Sequence, residues 1–531
     1  MGKIEPNYEE SSPAALGAGR DLFAIEVLDR IKKAEKEMDL MKDLFRDAYD
    51  YGYPTRPDFD NTSVGERRTD MIFDETLVVA IPEFASELQS GLIPAQSEIF
   101  RLMAGSSIPP EKRGMIQAEL DEITDFIHGK LRESNFSEET HECLMDIAIG
   151  TMNMTSTIVS PLNKLEFSAV PLHEVALDCG PDGKPDLKIK CHKVENKKIK
   201  ARFPNAEISP AQERAIKNNP DVKVQVYEGV FRKWSEPDEV YCYFVINKET
   251  KETLVRKETK GRGSNPWISA RWSANSGEVF GRGLVLNVMP TVKSLNLVLQ
   301  LIFENAQVAI GGIWQYDADG TINPDTIILE PGTFIPRAPG SKIDPMQSPT
   351  QFDVAQFVIN DARAAIRKGM LVDTLDQEGK TPASALQVGQ EMGKFARRMG
   401  ASYNRLLNEF VFEVVHRVIY LYTQRGIISM PKIDGEIVEI IAVSPLARAQ
   451  QSQDVTDFTR FVEVSNFTYG PEATQMALKQ IEGMQWLADK MNVDKKLIKS
   501  MQEISEEVAN AAQAMQQNPE MAGAMNGPAG Q

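Results

Sequence analysis

The sequence predicts an α+β fold, mainly helical, and three observations carry that expectation. Long stretches near both ends place apolar residues every three to four positions, as a helix with one buried face requires. Between about 165 and 275 the texture changes to short runs of β-branched and aromatic residues separated by turn residues. A content of 42% hydrophobic and 25% charged residues is that of a globular protein, and 531 residues suit two to four domains or one elaborate domain.

Taken in order, residues 17–52 read as a long amphipathic helix. Leu22, Phe23, Ile25, Val27, Leu28, Ile31, Met38, Leu40, Met41, Leu44 and Phe45 form its apolar side, and it stops near "YGYPTRP". Helices are expected at 77–92, 113–134 and 136–149, the last closed by Gly150, and a strand at 155–160. "VYEGVFRKW" (226–234), "VYCYFVI" (240–246) and "ETLVRKE" (252–258) read as strands, and "GPDGK" (180–184) as a hairpin turn. The Lys/Arg cluster between Lys184 and Arg202 is compatible with a nucleic-acid patch. Lysines alternating with apolar residues more often form the solvated face of an antiparallel strand, and that reading is preferred.

Helix returns at 283–308, with Pro290 near the start of its long part and Val292, Leu295, Val298, Leu299, Ile302, Phe303 and Ala306 at helical spacing. Residues 309–349 form a Gly- and Pro-rich insert, with strand-like "GIWQY", "TIILE" and "TFIP" around the turn "DADG". A helix follows at about 351–369, with Thr350 and Asp353 suited to a capping box. The polar, acidic connection from Leu371 to Lys380 is longer than most links between neighbouring helices. Thr381 then suits an N-cap and Pro382 the first helical position. From there helical spacing holds to about Gly426, roughly 65 Å if unbroken at 1.5 Å per residue. Gly389, Gly393 and Gly400 mark a kink or a close backbone approach in its first half. Residues 471–517 read as Met- and Gln-rich helices, and 518–531 as a disordered tail.

Several functions lack their residues. The net charge of −17 argues against a protein that grips DNA through its phosphates, but not against a surface past which DNA slides. "THEC" (140–143) and "LHEV" (172–175) are not completed as H-E-x-x-H, since Met145 and Leu177 stand in the fifth place. "GRG" occurs at 261–263 and 281–283 without continuing as G-x-G-x-x-G, and no G-x-S-x-G is present. His416, one of five scattered histidines, reads as a packed or solvated helix residue. Cys143, Cys179, Cys191 and Cys242 form no C-x-x-C and read as reduced thiols. The N-terminus lacks a secretory core, Pro6 stands where a lipidation signal needs Ser or Thr, and the richest apolar stretch, 283–314, is broken by polar residues, so no membrane association is expected. No metal or cofactor site is expected. A carboxylate-only nuclease site is not removed by these motifs.

Two helices flanking a small β insert look like legs holding a foot. They present more apolar surface than one chain of this layout covers, which suggests neighbouring copies and a closed ring; a bundle with an exposed cap is the alternative.

Four segments resemble, in order, the portal (head-to-tail connector) proteins of short-tailed bacteriophages. They are "FASELQSGLIPAQSEIFRLMAG" (84–105), "HECLMDIAIGTMNMT" (141–155), "WISARWSANSGEVFGRGLVLNVMPTVKSLNLVLQ" (267–300) and "GKTPASALQVGQEM…LNEFVFEVV" (379–415). The resemblance implies a portal fold with wing, stem, clip and crown. It also implies a homododecameric ring at one capsid vertex that passes double-stranded DNA during packaging and ejection, and no enzyme. Residues 1–282 then supply N-terminal helices and the β-rich wing, 283–308 and 351–370 the two stem helices, and 309–350 the clip. Residues 371–380 become the tunnel loop, 381–449 the long wing helix and following strands, 450–517 the crown, and 518–531 the tail. Asp373, Thr374, Asp376, Gln377, Glu378 and Lys380 face the DNA, with Arg367 and Lys368 as transient phosphate contacts. Trp314, Tyr316, Asp317, Asp319 and Arg337 form the docking surface for the terminase large subunit and then the head–tail adaptor and tail proteins. Major capsid and scaffolding proteins are further partners. The location implied is the virion's portal vertex, with the host cytoplasm during assembly. The rival readings are a scaffolding or adaptor protein without a channel, and a carboxylate-dependent nuclease.

Overall fold

The computed structural model describes residues 21–56, 59, 69–94, 97–105, 108–159, 163–236, 238–311, 314–316, 343–345, 352–372, 393–429 and 438–470, with short pieces at 473–474, 477–478, 483–484 and 486–487. The chain divides into two units, Met1–Lys380 with Arg398–Ile441, and Thr381–Arg397 with Ala442–Gln531.

In the first unit, helix α1 spans Leu22–Gly52. Asp21 caps it by accepting from the Ala24 amide at 3.0 Å, and the other oxygen of the same carboxylate accepts from Thr253 N at 3.1 Å. The apolar stripe expected for α1 is narrower than its hydrophobic residues suggest. Ala24, Val27, Ile31 and Ala34 pack with Leu187, Ile189, Tyr227, Phe244 and Ile246 on one face of a sheet, whereas Leu22 and Leu40 are 78% and 76% exposed.

That sheet is five-stranded and antiparallel: β4 (Val175–Cys179), β5 (Pro185–Glu195), β6 (Lys223–Lys233), β7 (Val240–Asn247) and β8 (Thr253–Lys260), in sequence order. The turn "GPDGK" joins β4 to β5, with Gly183 at φ +72°, where a glycine avoids Cβ strain. Val194, Ile199, Phe203, Val224, Val226, Val245 and Leu254 fill the opposite face, together with the short helix α5 (Ile199–Arg202). The basic cluster here is mostly a solvated face. Lys193, Lys200 and Arg202 are exposed, Lys197 pairs with Asp221 at 2.6 Å, and Lys198 pairs with Glu195 at 3.0 Å. Lys188 departs from that reading. It is buried, donates to Trp267 O at 3.2 Å, and burial lowers its pKa.

A second sheet has the order β3 (Lys164–Ala169), β2 (Thr151–Val159), β9 (Trp267–Arg271). Around it stand α2 (Thr76–Leu92), α3 (Pro110–Arg132) and α4 (Phe136–Ile149). Strand β1 (Phe100–Ala104) pairs with β12 (Val438–Ala442), and α6 (Pro210–Asn218) lies between β5 and β6 in the chain.

The second GRG has a packing reason. A Cβ on Gly283 would lie 2.1 Å from Ala148 O, and one on Gly281 would lie 2.4 Å from Gly150 O. Gly283 N donates to Ile149 O at 2.8 Å, and Gly281 N to Thr151 Oγ1 at 2.7 Å. Backbone thus lies directly on backbone where α4 turns into β2. The first GRG does the same elsewhere, since a Cβ on Gly263 would meet His416 O at 2.2 Å.

Helix α7 (Leu284–Gly311) runs unbroken through Pro290, and α8 (Phe352–Gly369) packs along it. By length and composition Leu284–Ala306 would suffice to cross a membrane, with a mean hydropathy of 1.4. Its polar residues have partners in the fold: Lys293 pairs with Asp47, and buried Asn296 accepts from Phe73 N at 2.8 Å.

The long helix expected from 381 is interrupted. Residues 393–399 form α9, and Gly400 at φ +53° breaks the rod before α10 (Ala401–Leu406). A π turn, Leu407–Val411, follows, and then α11 (Phe412–Gln424). The π turn carries Glu409, which accepts from Arg271 Nη2 at 2.9 Å and from the Arg271 amide at 3.1 Å. Thr381, Pro382 and Gly389 lie outside the described residues.

On α11, His416 is buried, and burial with Arg262 nearby lowers its pKa to about 3 from 6.5. The unfolded chain takes up this proton below pH 6.5 while the fold resists it, so stability is full above 6.5 and falls as pH drops toward 3. Removing the titration with His416→Gln is expected to flatten the pH dependence of urea-denaturation free energy between pH 6 and 4 by about 1 kcal/mol per pH unit. Equal slopes for the two proteins would refute this.

The second unit contains α12 (Pro445–Tyr469). Phe458 on α12 meets the ring of Trp486, with 5.1 Å between centroids.

Candidate functional site

Of the residues that the sequence marks for function, the described ones, Trp314, Tyr316, Arg367 and Lys368, lie on or next to the α7–α8 hairpin. Val292, Leu295 and Leu299 of α7 and Ile366 of α8 are buried, and Gly369 brings the helices close, since a Cβ there would stand 2.3 Å from Val288 Cγ1. At the far end of the hairpin the chain leaves α7 after Gly311 and enters α8 at Phe352. Strands β10 (Trp314–Tyr316) and β11 (Ile343–Pro345) pair antiparallel there, Trp314 opposite Pro345 and Tyr316 opposite Ile343. The strand expected in "GIWQY" is therefore present. Asp317, Asp319, Arg337, "TIILE" and "TFIP" lie outside the described residues, as does Thr350.

A polar knot joins the hairpin to the rest of the first unit. Asn296 Oδ1 accepts from the amides of Phe73 and Asp74, at 2.8 and 3.2 Å. The buried Asp74 carboxylate accepts from Thr76 N at the start of α2 (3.0 Å) and from Arg363 Nε on α8 (2.8 Å). In the sequence Asn296 was visible only as a polar break in an apolar helix. Nothing local to it pointed to Asp74, more than 200 residues away.

Among the described residues, nothing buries Leu297 and Leu301 on α7 or Phe357 and Val358 on α8, and Phe357 is 74% exposed, while Phe303 meets the ring of Phe73 at 6.2 Å between centroids. A large apolar side chain left in water forgoes about 1.5–3 kcal/mol of burial, and a group of them suits a surface that meets a partner.

Arg367 and Lys368 occupy the last turn of α8. Arg367 lies 3.8 Å from Glu83, and the Lys368 side chain is exposed. Met370, Leu371 and Val372 then close the helix and are buried. Asp373, Thr374, Asp376, Gln377, Glu378 and Lys380 lie outside the described residues, so the structure brings together the two cations and the start of the acidic segment only. Among the described residues, His, Cys, Asp and Glu form no group of three that could hold a metal ion.

Away from the hairpin, the buried Asp146 accepts from Tyr49 OH at 2.9 Å and Arg56 Nη1 at 3.0 Å. Burial pushes its carboxyl up to about 6 against the pull of Arg56. The buried Arg417 spends its donors on the carbonyls of Ser156, Gly263 and Ser264, and burial lowers its pKa to about 10. These networks fasten α1 to α4 and α11 to β2, and they are structural.

The hairpin is thus anchored by polar contacts on the first unit, with a strand pair at one end and exposed apolar side chains along part of its length. A family model described as bacteriophage head to tail connecting protein matches residues 24–498, and the chain belongs to that family. The portal protein of Enterobacteria phage SP6 is 19% identical over 459 residues, covering 82% of this chain and 83% of that protein. Two solved structures are also similar. The neck of an empty GTA particle computed with C6 symmetry has a TM-score of 0.35 at 11% identity, covering 75% of this chain and 90% of that one. The virion of a native gene transfer agent (GTA) particle has a TM-score of 0.33 at 12% identity, covering 76% and 91%. The chain is accordingly a head-to-tail connecting protein of the bacteriophage type.

Proposed function

We propose that twelve copies of this chain close into a ring at one capsid vertex and form the conduit through which double-stranded DNA enters during packaging and leaves during ejection. The observation that carries this reading is the uncovered apolar flank of the α7–α8 hairpin, in a chain of the connector family. A neighbouring copy seated on that flank buries it, and repetition of one heterologous contact closes a ring.

In this reading α7 and α8 are the stem, and residues 309–350 are the clip. The clip, with Trp314, Tyr316, Asp317, Asp319 and Arg337, receives the terminase large subunit and later the tail adaptor. The strands of the first unit are the wing and 450–517 the crown, while capsid and scaffolding proteins surround the ring. Of residues 371–380, those after the buried Leu371 and Val372 face the duplex. Their carboxylates Asp373, Asp376 and Glu378 repel phosphate, and Arg367, Lys368 and Lys380 offer brief countercharge beside Thr374 and Gln377. A subunit of net charge −17 suits a wall that DNA slides past, because tight DNA binding needs the opposite sign.

Native mass measurement of the purified assembly tests the ring. The expected mass is about 710 kDa, twelve times the 59.2 kDa chain, with a central hole in negative-stain images. A 59.2 kDa species alone at every ionic strength tried would overturn the reading.

A further inference from the structure

The end of α8 is held in an unusual way. Leu371 N donates to Lys368 O at 3.2 Å and Val372 N donates to Arg367 O at 3.1 Å, the paired bonds that close a helix when the residue after its cap turns left-handed. That residue is normally glycine. Here it is Leu371, at φ +65°. A left-handed leucine costs about 1–2 kcal/mol and persists where its surroundings over-determine it. Burial of Met370, Leu371 and Val372 supplies part of that constraint.

The other part comes from 30 residues further along the chain. Arg398, in the last turn of α9, donates from Nη2 to the same Lys368 carbonyl at 2.9 Å. A cation there meets the negative end of the α8 dipole and takes the second acceptor site of a carbonyl that already accepts from Leu371 N. The chain therefore departs at Val372 and is back, by Arg398, within one hydrogen bond of its point of departure. Chain length does not impose this return, because about 25 intervening residues could span roughly 80 Å when extended.

We propose that Arg398 is a clasp: a positioning residue that holds the outgoing and incoming ends of segment 373–392 together at the last turn of α8, and with them fixes Arg367 and Lys368. The clasp stands on this geometry alone. Only its consequence for DNA rests on the conduit reading.

Limited trypsin digestion of the assembled protein, read by mass spectrometry, tests it. Arg398→Ala is expected to raise the rate of cleavage after Lys380 at least fivefold, leaving cleavage after Lys130 in α3 unchanged. Arg398→Lys, which keeps a cationic donor, is expected to raise it less than twofold. Cleavage after Lys380 at the wild-type rate in Arg398→Ala would overturn the clasp. So would an equal rise after Lys130, which reports general loosening. Faster cleavage after Lys380 alone, with normally filled heads, would uphold the clasp and remove this segment from the conduit.

Discussion

Heads assembled with Asp373, Asp376 and Glu378 all replaced by Lys are expected to contain at least tenfold fewer full genomes than wild type, with the portal assembly keeping its normal mass. Each subunit changes by six charges, so the proposed ring of twelve would change by about seventy-two, against a duplex that carries one negative charge per ~1.7 Å. A wall that repelled phosphate becomes one that captures it through counterion release, and a captured duplex does not advance. The defect should be salt-sensitive. Screening shortens from about 10 Å at 0.1 M to about 3 Å at 1 M, so DNA held at low salt should be released as salt rises. DNA content per head, read by density gradient, decides the matter. Normal filling would show that the charge of this segment does not bear on transport.

The second large effect is on the fold itself. Gly283→Ala is expected to lower stability by about 3 kcal/mol or more. The new methyl would sit 2.1 Å from Ala148 O and 2.4 Å from Ile149 C, both backbone atoms that no rotamer change can move. Relief requires α4 and the start of α7 to part, which breaks the 2.8 Å bond from Gly283 N to Ile149 O. Gly129→Ala, in α3, is the internal control. A methyl there meets nothing within 4 Å, and the change should stabilise by up to about 1 kcal/mol through helix propensity. Urea midpoints of the two variants should move in opposite directions. If both rise, the close approach of these backbones is wrong.

How much could be read from the residues follows from the range of the interactions involved. Helices α1 to α4 and the strands of the five-stranded sheet were legible because their signal is local periodicity. The break at Gly400 was legible as a glycine in a long helical pattern, although which glycine would break the rod was not. Lys188 was misread because its alternation with the apolar Leu187 and Ile189 assigns it to the solvent face, whereas it is buried and donates to Trp267 O, 79 residues away. The π turn at Leu407–Val411 left no mark in the pattern, because Glu409 is turned inward by Arg271, 138 residues distant. At the candidate site, Arg367 and Lys368 were legible as cations ending a helix, and "GIWQY" as a strand. Leu371 in a left-handed conformation ran against the sequence signal, since nothing about a leucine announces a glycine's backbone. Asp74, Arg363 and Arg398 act through partners that only folding brings near.

Asp74 has a mechanical consequence. One carboxylate begins α2 and restrains α8, while the amide of the same residue is held by α7. Swivelling the helical hairpin about its long axis therefore drags on the first turn of α2, so torque is geared to the body of the subunit rather than dissipated at a loose joint.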